Sequence, residues 1–452
     1  MKNLLRSFSG VALAIAGLLT VASSPAHATT TTTNPVLKTV TCYRLVNNKV
    51  VHRKFHNVRG VCGKGWSKHR PTPKPVVIGS LQGTNKSGDI DLAVPGSVTL
   101  AINGSSFDAP MVGATTSGSS AYSARGKVSF SSYPAAGSGT GRTAITNGSV
   151  NIGFSDQPMT PAAGTLPSGA IESNFVQVPY ILGGAVVGYN LGAGLDNLKL
   201  TSNEVAKIYD GTITEWSNPA IINTNGGSGS PTGKALKALY TSNAPSDTIK
   251  VIYRGAVSGT TYAFTDYLHT SGGSSHNANG SVMEGSGNAW HASNILAAAN
   301  NAAMATDINS NPGSIGYVEY SYLLIPGNAT IQTALLQDRI GQWVAASEKT
   351  IAAAAASAGQ NITPDNFSIV NEGGSNVWPL ATYSWAIVAK NQTNANAGEA
   401  AVKYLDWETH YAQNVLAKAE GYVPLPTAVA AYARAQLQHV ASGGNVLLTN
   451  KS

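Results

Sequence analysis

Four short stretches rich in Gly, Ser and Thr hold the residue types best suited to chemistry in this 452-residue chain. They read NGSSFDAP (103–110), AAGSGTGRTAI (135–145), GFSDQPMT (153–160) and RGAVSGTTYAFTDYL (254–268). Each follows a short apolar run and precedes a stretch with helical spacing. A strand–loop–helix junction presents unpaired backbone N–H groups and the positive end of a helix dipole, an arrangement that binds oxyanions. Ser and Thr add hydroxyl donors, and Gly lets the backbone approach a ligand. Arg254 heads the fourth loop with a full positive charge. One such junction is an ordinary α/β turn; four in one chain indicate an anion site. Asp156 is the discordant residue, an anion placed among them. Two roles are open to it from the residues alone: the N-cap of a following helix, or an acceptor for a proton that the ligand itself carries.

Competing chemistries find no support. GSGTGRT resembles a phosphate loop but lacks its first Gly and has Arg142 where Lys is required. The chain has no G-x-S-x-G elbow, no H-E-x-x-H and no C-x-x-C. Of nine His, four fall in residues 1–76 and the rest are scattered. No cofactor, metal site or acid/base pair is expected.

The elements that must position these loops are legible from residue 77 onward. Apolar runs such as SVTLAI, VNIGF, QVPYILGGAVVGYN, IKVIYR and SIGYVEYSYLL read as strands. Between them lie helical stretches: 201–211, 259–269, 292–308, 348–359 and 397–422. Thr201 or Ser202 would cap the first, and Gly211 would stop it. Strands alternating with helices predict an α/β fold with largely parallel sheets.

The N-terminal region differs in kind. Lys2 and Arg6, the apolar run 11–21 and Ala26-His27-Ala28 predict a signal peptide over 1–28. No Cys follows the cleavage site, so no lipid is expected there. Residues 29–76 carry ten Lys/Arg and no acidic residue, whereas 77–452 carry 17 basic and 22 acidic residues. The formal charge of +7 therefore hides a small basic module before a mildly acidic body. Alternation around Asn47-Asn48 predicts a hairpin with strands near 37–46 and 49–55. Cys42 and Cys62, the only cysteines, are expected to form a disulfide in an exported chain. The module is either a solvated leader or a tether to anionic cell-wall polymer.

The body resembles the phosphate-binding proteins of bacterial phosphate ABC transporters (PstS-like). GSSFDAP, GSGTGR, GFSDQPMT, VPYILGGAVVGYN, LTSNEVAKIYDGTITEWSNPAI, YRGAVSGTTYAFTDYL, PGSIGYVEYSY and VWPLATYSWAIV occur in that family's order, from about 95 to 430. The resemblance implies a type II periplasmic-binding-protein fold, two α/β lobes closing on a hinge. Lobe one would hold 77–181 and 382–452, and lobe two 182–381. Matched motif by motif, Ser106 would supply a hydroxyl, Phe107 a backbone N–H, and Ser138 another hydroxyl. Asp156 would be the acceptor. Arg254, Ser258, Gly259 and Thr260 would close over the anion from the opposite lobe. Phosphate near neutral pH keeps at least one proton to give Asp156, and sulfate keeps none. One position departs: the family's R-x-D-G-S-G-T places Asp two residues after Arg, where this chain has Ala256.

The implied function is that of an exported, non-enzymatic protein, periplasmic, wall-associated or secreted, that delivers inorganic phosphate to an ABC permease. Its rivals are a binder of another oxyanion (sulfate or molybdate), a wall-associated protein reusing the fold, and a phosphate-ester hydrolase. No membrane span and no nucleic-acid partner are expected.

Overall fold

The structure, a computed structural model, describes residues 38–46, 49–57, 96–117, 122–124, 128–160, 170–192, 194–272, 290–328 and 331–449. The predicted signal peptide, both linkers and Cys62 lie outside these residues. Strands β1 (Lys38–Val46) and β2 (Lys49–Asn57) pair antiparallel, from Lys38 opposite Asn57 to Val46 opposite Lys49. This is the hairpin the alternation predicts. Cys42, in β1, is fully buried.

The body begins with β3 (Val98–Leu100), β4 (Ile102–Gly104), α1 (Ala109–Thr116), β5 (Val128–Phe130), α2 (Ser138–Thr146) and β6 (Ile152–Ser155). There follow α3 (Ala170–Asn174), the 15-residue strand β7 (Phe175–Tyr189), α4 (Ser202–Tyr209), α5 (Pro219–Thr224) and α6 (Pro231–Thr241). Next come β8 (Lys250–Arg254), α7 (Gly259–Thr270), β9 (Ile295–Ala298), α8 (Asn301–Ser310) and β10 (Ser314–Glu319). Short strands β11 (Gln332–Thr333), β12 (Leu336–Gln337) and β13 (Trp343–Val344) lead to α9 (Glu348–Ala358) and β14 (Ala381–Ala389). Helix α10 (Ala395–Trp407) runs on as a π-helical segment, Glu408–Ala417, and α11 (Thr427–Leu437) follows. Among the described residues no helix is long and apolar enough to cross a membrane.

The main sheet runs β4-β6-β14-β7-β10-β8-β9, with β11 also on β7. Strand β7 is shared by its two halves. Phe175–Gly184 pairs with β14, and Ala185–Tyr189 pairs with β10. Gly183 and Gly184 mark the changeover for a steric reason. A Cβ on Gly183 would lie 2.8 Å from the Phe107 ring, and one on Gly184 would lie 3.0 Å from both Ile351 and Trp378. Each half carries its own apolar core. One gathers Leu100, Phe154, Tyr180, Val388, Tyr404 and Trp407; the other gathers Val186, Val251, Phe264, Ile315 and Trp378.

Two expectations need correction. The sheet is mixed: β4–β6, β8–β9 and β8–β10 are parallel, but β7 runs antiparallel to β14 and β10, and β14 antiparallel to β6. The two long strands that cross between the halves impose this. The stretch 292–308 is not one helix. Ile295–Ala298 pairs with Val251–Arg254 as β9, and Asn300 then caps α8, its side chain accepting from Ala303 N at 2.8 Å. Alanine favours helix only weakly against such pairing. Elsewhere local signals hold: Thr201 and Glu204 form a capping box on α4, and Gly211 has φ +82.

Candidate anion-binding site

The site is built where the loops after β4, β5, β6, β8 and β9 meet. Gly104 ends β4 so close to β6 that a Cβ there would lie 2.2 Å from Phe154 O. The carbonyls of the next three residues are then tied down in turn. Tyr133 Oη donates to Ser105 O at 2.6 Å, Tyr322 Oη to Ser106 O at 2.6 Å, and Tyr422 Oη to Phe107 O at 2.5 Å. Ser106 and Phe107 are fully buried as a result. The Phe107 N–H, expected to face a ligand, donates to Ser105 Oγ at 3.0 Å.

Ser138 opens α2 and joins the two halves. Its Oγ accepts from Asp156 N and from Gly259 N, both at 3.1 Å. Gly259 begins α7, and the approach is so tight that a Cβ would meet Asp156 Cβ at 2.4 Å and Ser138 Oγ at 2.8 Å. Only glycine fits. Val257, two residues earlier, accepts from Gly139 N at 3.4 Å through its carbonyl. Ser258 caps α7, its Oγ accepting from Thr261 N at 3.3 Å.

Asp156 follows β6 directly and is 1% exposed. Arg142 holds the strand end from behind, donating from Nη1 to Ser155 Oγ at 3.0 Å and to Gln157 O at 3.3 Å. Gln177 on β7 clamps Met159 from both sides, at 2.6 Å to its N–H and 3.0 Å to its carbonyl. The segment after Asp156 is thus held non-helical through Thr160. Asp156 caps no helix among the described residues. Its carboxylate takes side-chain donors instead: Ser384 Oγ at 3.0 Å and Thr260 Oγ1 at 3.4 Å. Burial pushes the carboxyl up to about 6, against hydrogen bonds from Ser105, Ser384 and Thr260 and the charge of Arg254. At neutral pH it is mostly ionised and therefore an acceptor.

Arg254 ends β8 and is likewise 1% exposed. Its backbone N–H donates to Tyr317 Oη at 3.1 Å. Its guanidinium is poorly satisfied. Nη2 reaches Ala299 O only at 3.4 Å, and the buried Nε has no partner among the described residues. Ala256 supplies no carboxylate. The carboxylate that acts on Arg254 is Asp156, from the other half of the sheet. A buried cation with unmet donors and a buried carboxylate that accepts thus flank one cluster of hydroxyls.

The sequence expectations come together closely. Ser106, Ser138, Asp156, Arg254, Ser258, Gly259 and Thr260 all lie within this buried cluster. Sequence reasoning missed Asn301. Its backbone N and Nδ2 both donate to Ser106 Oγ, at 3.0 and 3.1 Å, and Nδ2 also donates to Thr260 Oγ1 at 3.2 Å. Its Oδ1 accepts from Glu319 N at 3.1 Å. The β9–α8 junction is a fifth loop of the same kind, hidden by reading 292–308 as continuous helix. Ser384 was also missed. It sits at a β-bulge between Ser384 and Trp385 in β14, and a bulge re-aims a side chain. A lone Ser inside the apolar run ATYSWAIVA was the available signal.

Comparison with known proteins agrees with this architecture. A family model described as the PBP superfamily domain matches residues 89–409. A phosphate-binding protein PstS from Xylella fastidiosa (strain 9a5c) is 30% identical over 300 residues, covering 65% of this chain and 73% of that protein. The chain belongs to the PstS family of the PBP superfamily. A PstS from Pasteurella multocida (strain Pm70) is also 30% identical to this PstS-family chain, over 67% of it and 80% of the relative. Among solved structures, a high-affinity periplasmic phosphate-binding protein (PfluDING) bound with phosphate superimposes with a TM-score of 0.56 at 20% identity. That match covers 77% of this chain and 96% of the other, and establishes a shared fold.

Proposed function

We propose that this chain captures inorganic phosphate between two lobes and presents it to the permease of an ABC importer. Lobe one is 77–181 with 382–452, and lobe two is 182–381. Asp156 accepts the proton that phosphate carries. Arg254 supplies the charge, Ser106, Ser138, Ser258 and Thr260 supply hydroxyl donors, and the backbone N–H groups of Phe107 and Gly259, which in this structure donate to Ser105 Oγ and Ser138 Oγ, turn to the anion when it binds. Asn301 orders the Ser106 and Thr260 hydroxyls. The observation that carries the reading is the pairing, inside one buried cluster, of an acceptor carboxylate with an unsatisfied guanidinium. An ionised carboxylate would repel sulfate or molybdate but accept from a protonated phosphate.

The protein acts outside the cytoplasm and binds phosphate without transforming it, a reading supported by relatives that are named phosphate-binding proteins. Cys42 pairs with Cys62, and the basic residues 29–76 bind anionic wall polymer. A calorimetric screen of phosphate, sulfate and molybdate, run beside turnover of a chromogenic phosphate ester, tests the reading. Saturable phosphate binding with no turnover supports it. Preference for sulfate or molybdate, or hydrolysis of the ester, refutes it.

A further inference from the structure

Behind Asp156 lies a second carboxyl that the proposed contacts do not use. Asp108 stands at the N-cap position of α1, yet its side chain caps nothing. It is 0% exposed, and neither carboxyl oxygen has a hydrogen-bond partner among the described residues. The hydroxyls of Tyr180 and Ser384 face it without reaching hydrogen-bond geometry. The carboxyls of Asp156, from the end of β6, and Glu408, from the π-helical segment, act on it as well. The remaining titratable groups around it are phenols: Tyr133, Tyr322, Tyr404 and Tyr422.

An ionised carboxylate in this setting would have neither water nor a cation, and such a group takes up a proton instead. Burial foremost, then the charge of Asp156, holds the Asp108 carboxyl well above the usual carboxylate range. A neutral carboxyl is a donor. Ser384 has a single hydroxyl proton, and it goes to Asp156 Oδ1 at 3.0 Å. The Ser384 lone pairs remain for a donor, and Asp108 is the neighbouring buried carboxyl that can supply one.

We propose that Asp108 is a positioning residue of the anion site: as a neutral acid it donates to Ser384 Oγ, which commits the Ser384 proton to Asp156 and keeps Asp156 an acceptor toward the ligand. The inference rests on the phosphate reading of the cleft. Without Asp108 the Ser384 hydroxyl is free to turn, and Asp156 loses a bond that favours its ionised form. A protonated Asp156 can donate, and so admits an anion that brings no proton. Asp108 thereby sets selectivity without touching the ligand.

The test uses the full chain and titrates phosphate and sulfate by calorimetry at neutral pH. One hydrogen bond to a charged group is worth about 1.5–3 kcal/mol, so Asp108→Ala lowers the phosphate-to-sulfate ratio at least about tenfold. Asp108→Asn, which can still donate, recovers most of that loss. Adding Asp108→Ala to Ser384→Ala produces no further change, because both break one chain. An unchanged ratio in Asp108→Ala overturns the proposal, as does an equal loss in Asp108→Asn. A second measurement needs neither ligand nor the alanine variant. The infrared spectrum of wild-type protein at neutral pH should contain a protonated-carboxyl band that Asp108→Asn removes. If no band is lost, Asp108 is ionised and the proposal is wrong. Should wild-type protein fail to bind phosphate, the phosphate reading falls by that result alone, and the infrared comparison still decides the state of Asp108.

Discussion

Replacing Asp156 by Asn should make the ligand-free protein more stable and the binding site worse. The carboxyl is held at about 6 instead of its ordinary 3.8, because burial penalises the charge more than its donors and Arg254 compensate. Each tenfold change in proton affinity is worth about 1.4 kcal/mol, so keeping Asp156 ionised costs the folded protein about 3 kcal/mol at neutral pH. The sign follows from the direction of the shift. The folded state holds this proton more tightly than the unfolded state does. The contribution of Asp156 to stability is therefore full below about pH 4 and is lost as pH rises through 6. Asparagine keeps the shape without the charge, so Asp156→Asn should gain about 3 kcal/mol at pH 7 and almost nothing at pH 4. Thermal unfolding of ligand-free protein at the two pH values measures this. The same variant should lose discrimination. A site that pairs a ligand's hydroxyl can reject the analogue lacking it by about 10⁴–10⁵-fold, whereas an amide donates as well as accepts. Sulfate should then bind within about tenfold of phosphate in Asp156→Asn. A variant that is destabilised at pH 7 and keeps the wild-type ratio would refute this reasoning, leaving Asp156 a structural residue.

Arg254→Ala should weaken phosphate binding at least about tenfold with the fold intact, since charge-assisted bonds are worth about 1.5–3 kcal/mol each; Ala256→Asp, which offers the guanidinium a carboxylate, should strengthen it, and calorimetry reads both. Gly259→Ala places a Cβ 2.4 Å from Asp156 Cβ, and overpacking of about 1–3 kcal/mol should cut affinity about tenfold to a hundredfold while circular dichroism is unchanged. Glu408 is buried and pushed up to about 8, so its contribution to stability fades as pH rises from the ordinary glutamate range through 8. Glu408→Gln should flatten that decline in a denaturant series run from pH 6 to about 9. Deleting 29–76 should leave phosphate affinity within about twofold and abolish binding of the protein to purified cell wall at low salt.

The parts of this fold set by local chemistry were readable in the sequence. The capping box at Thr201, the stop at Gly211 and the hairpin around Asn47-Asn48 each follow from residues within a few positions of one another. Asp156 could be placed at the end of its strand for the same reason. What sequence could not settle was its role there, because a cap and a ligand acceptor share one residue type. The decision comes from Gln177 and Arg142, distant in sequence, which hold the following segment out of helix. Asn301 and Ser384 were obscured by pairing with distant strands, which made a strand of Ile295–Ala298 and placed the bulge at Ser384. Asp108 drew no reading from sequence, and only the packing around it shows a buried carboxyl at an N-cap position that caps nothing.

The central claim is that phosphate is held between the two halves with Asp156 as acceptor of its proton and Arg254 as its cation. A crystal structure of the full chain grown with phosphate at neutral pH tests it most directly. The account predicts one anion within hydrogen-bonding distance of Asp156, Arg254 and Ser138 together, with Asp156 facing a single phosphate oxygen. Phosphate bound elsewhere, or in the cleft but without a contact to Asp156, would contradict it.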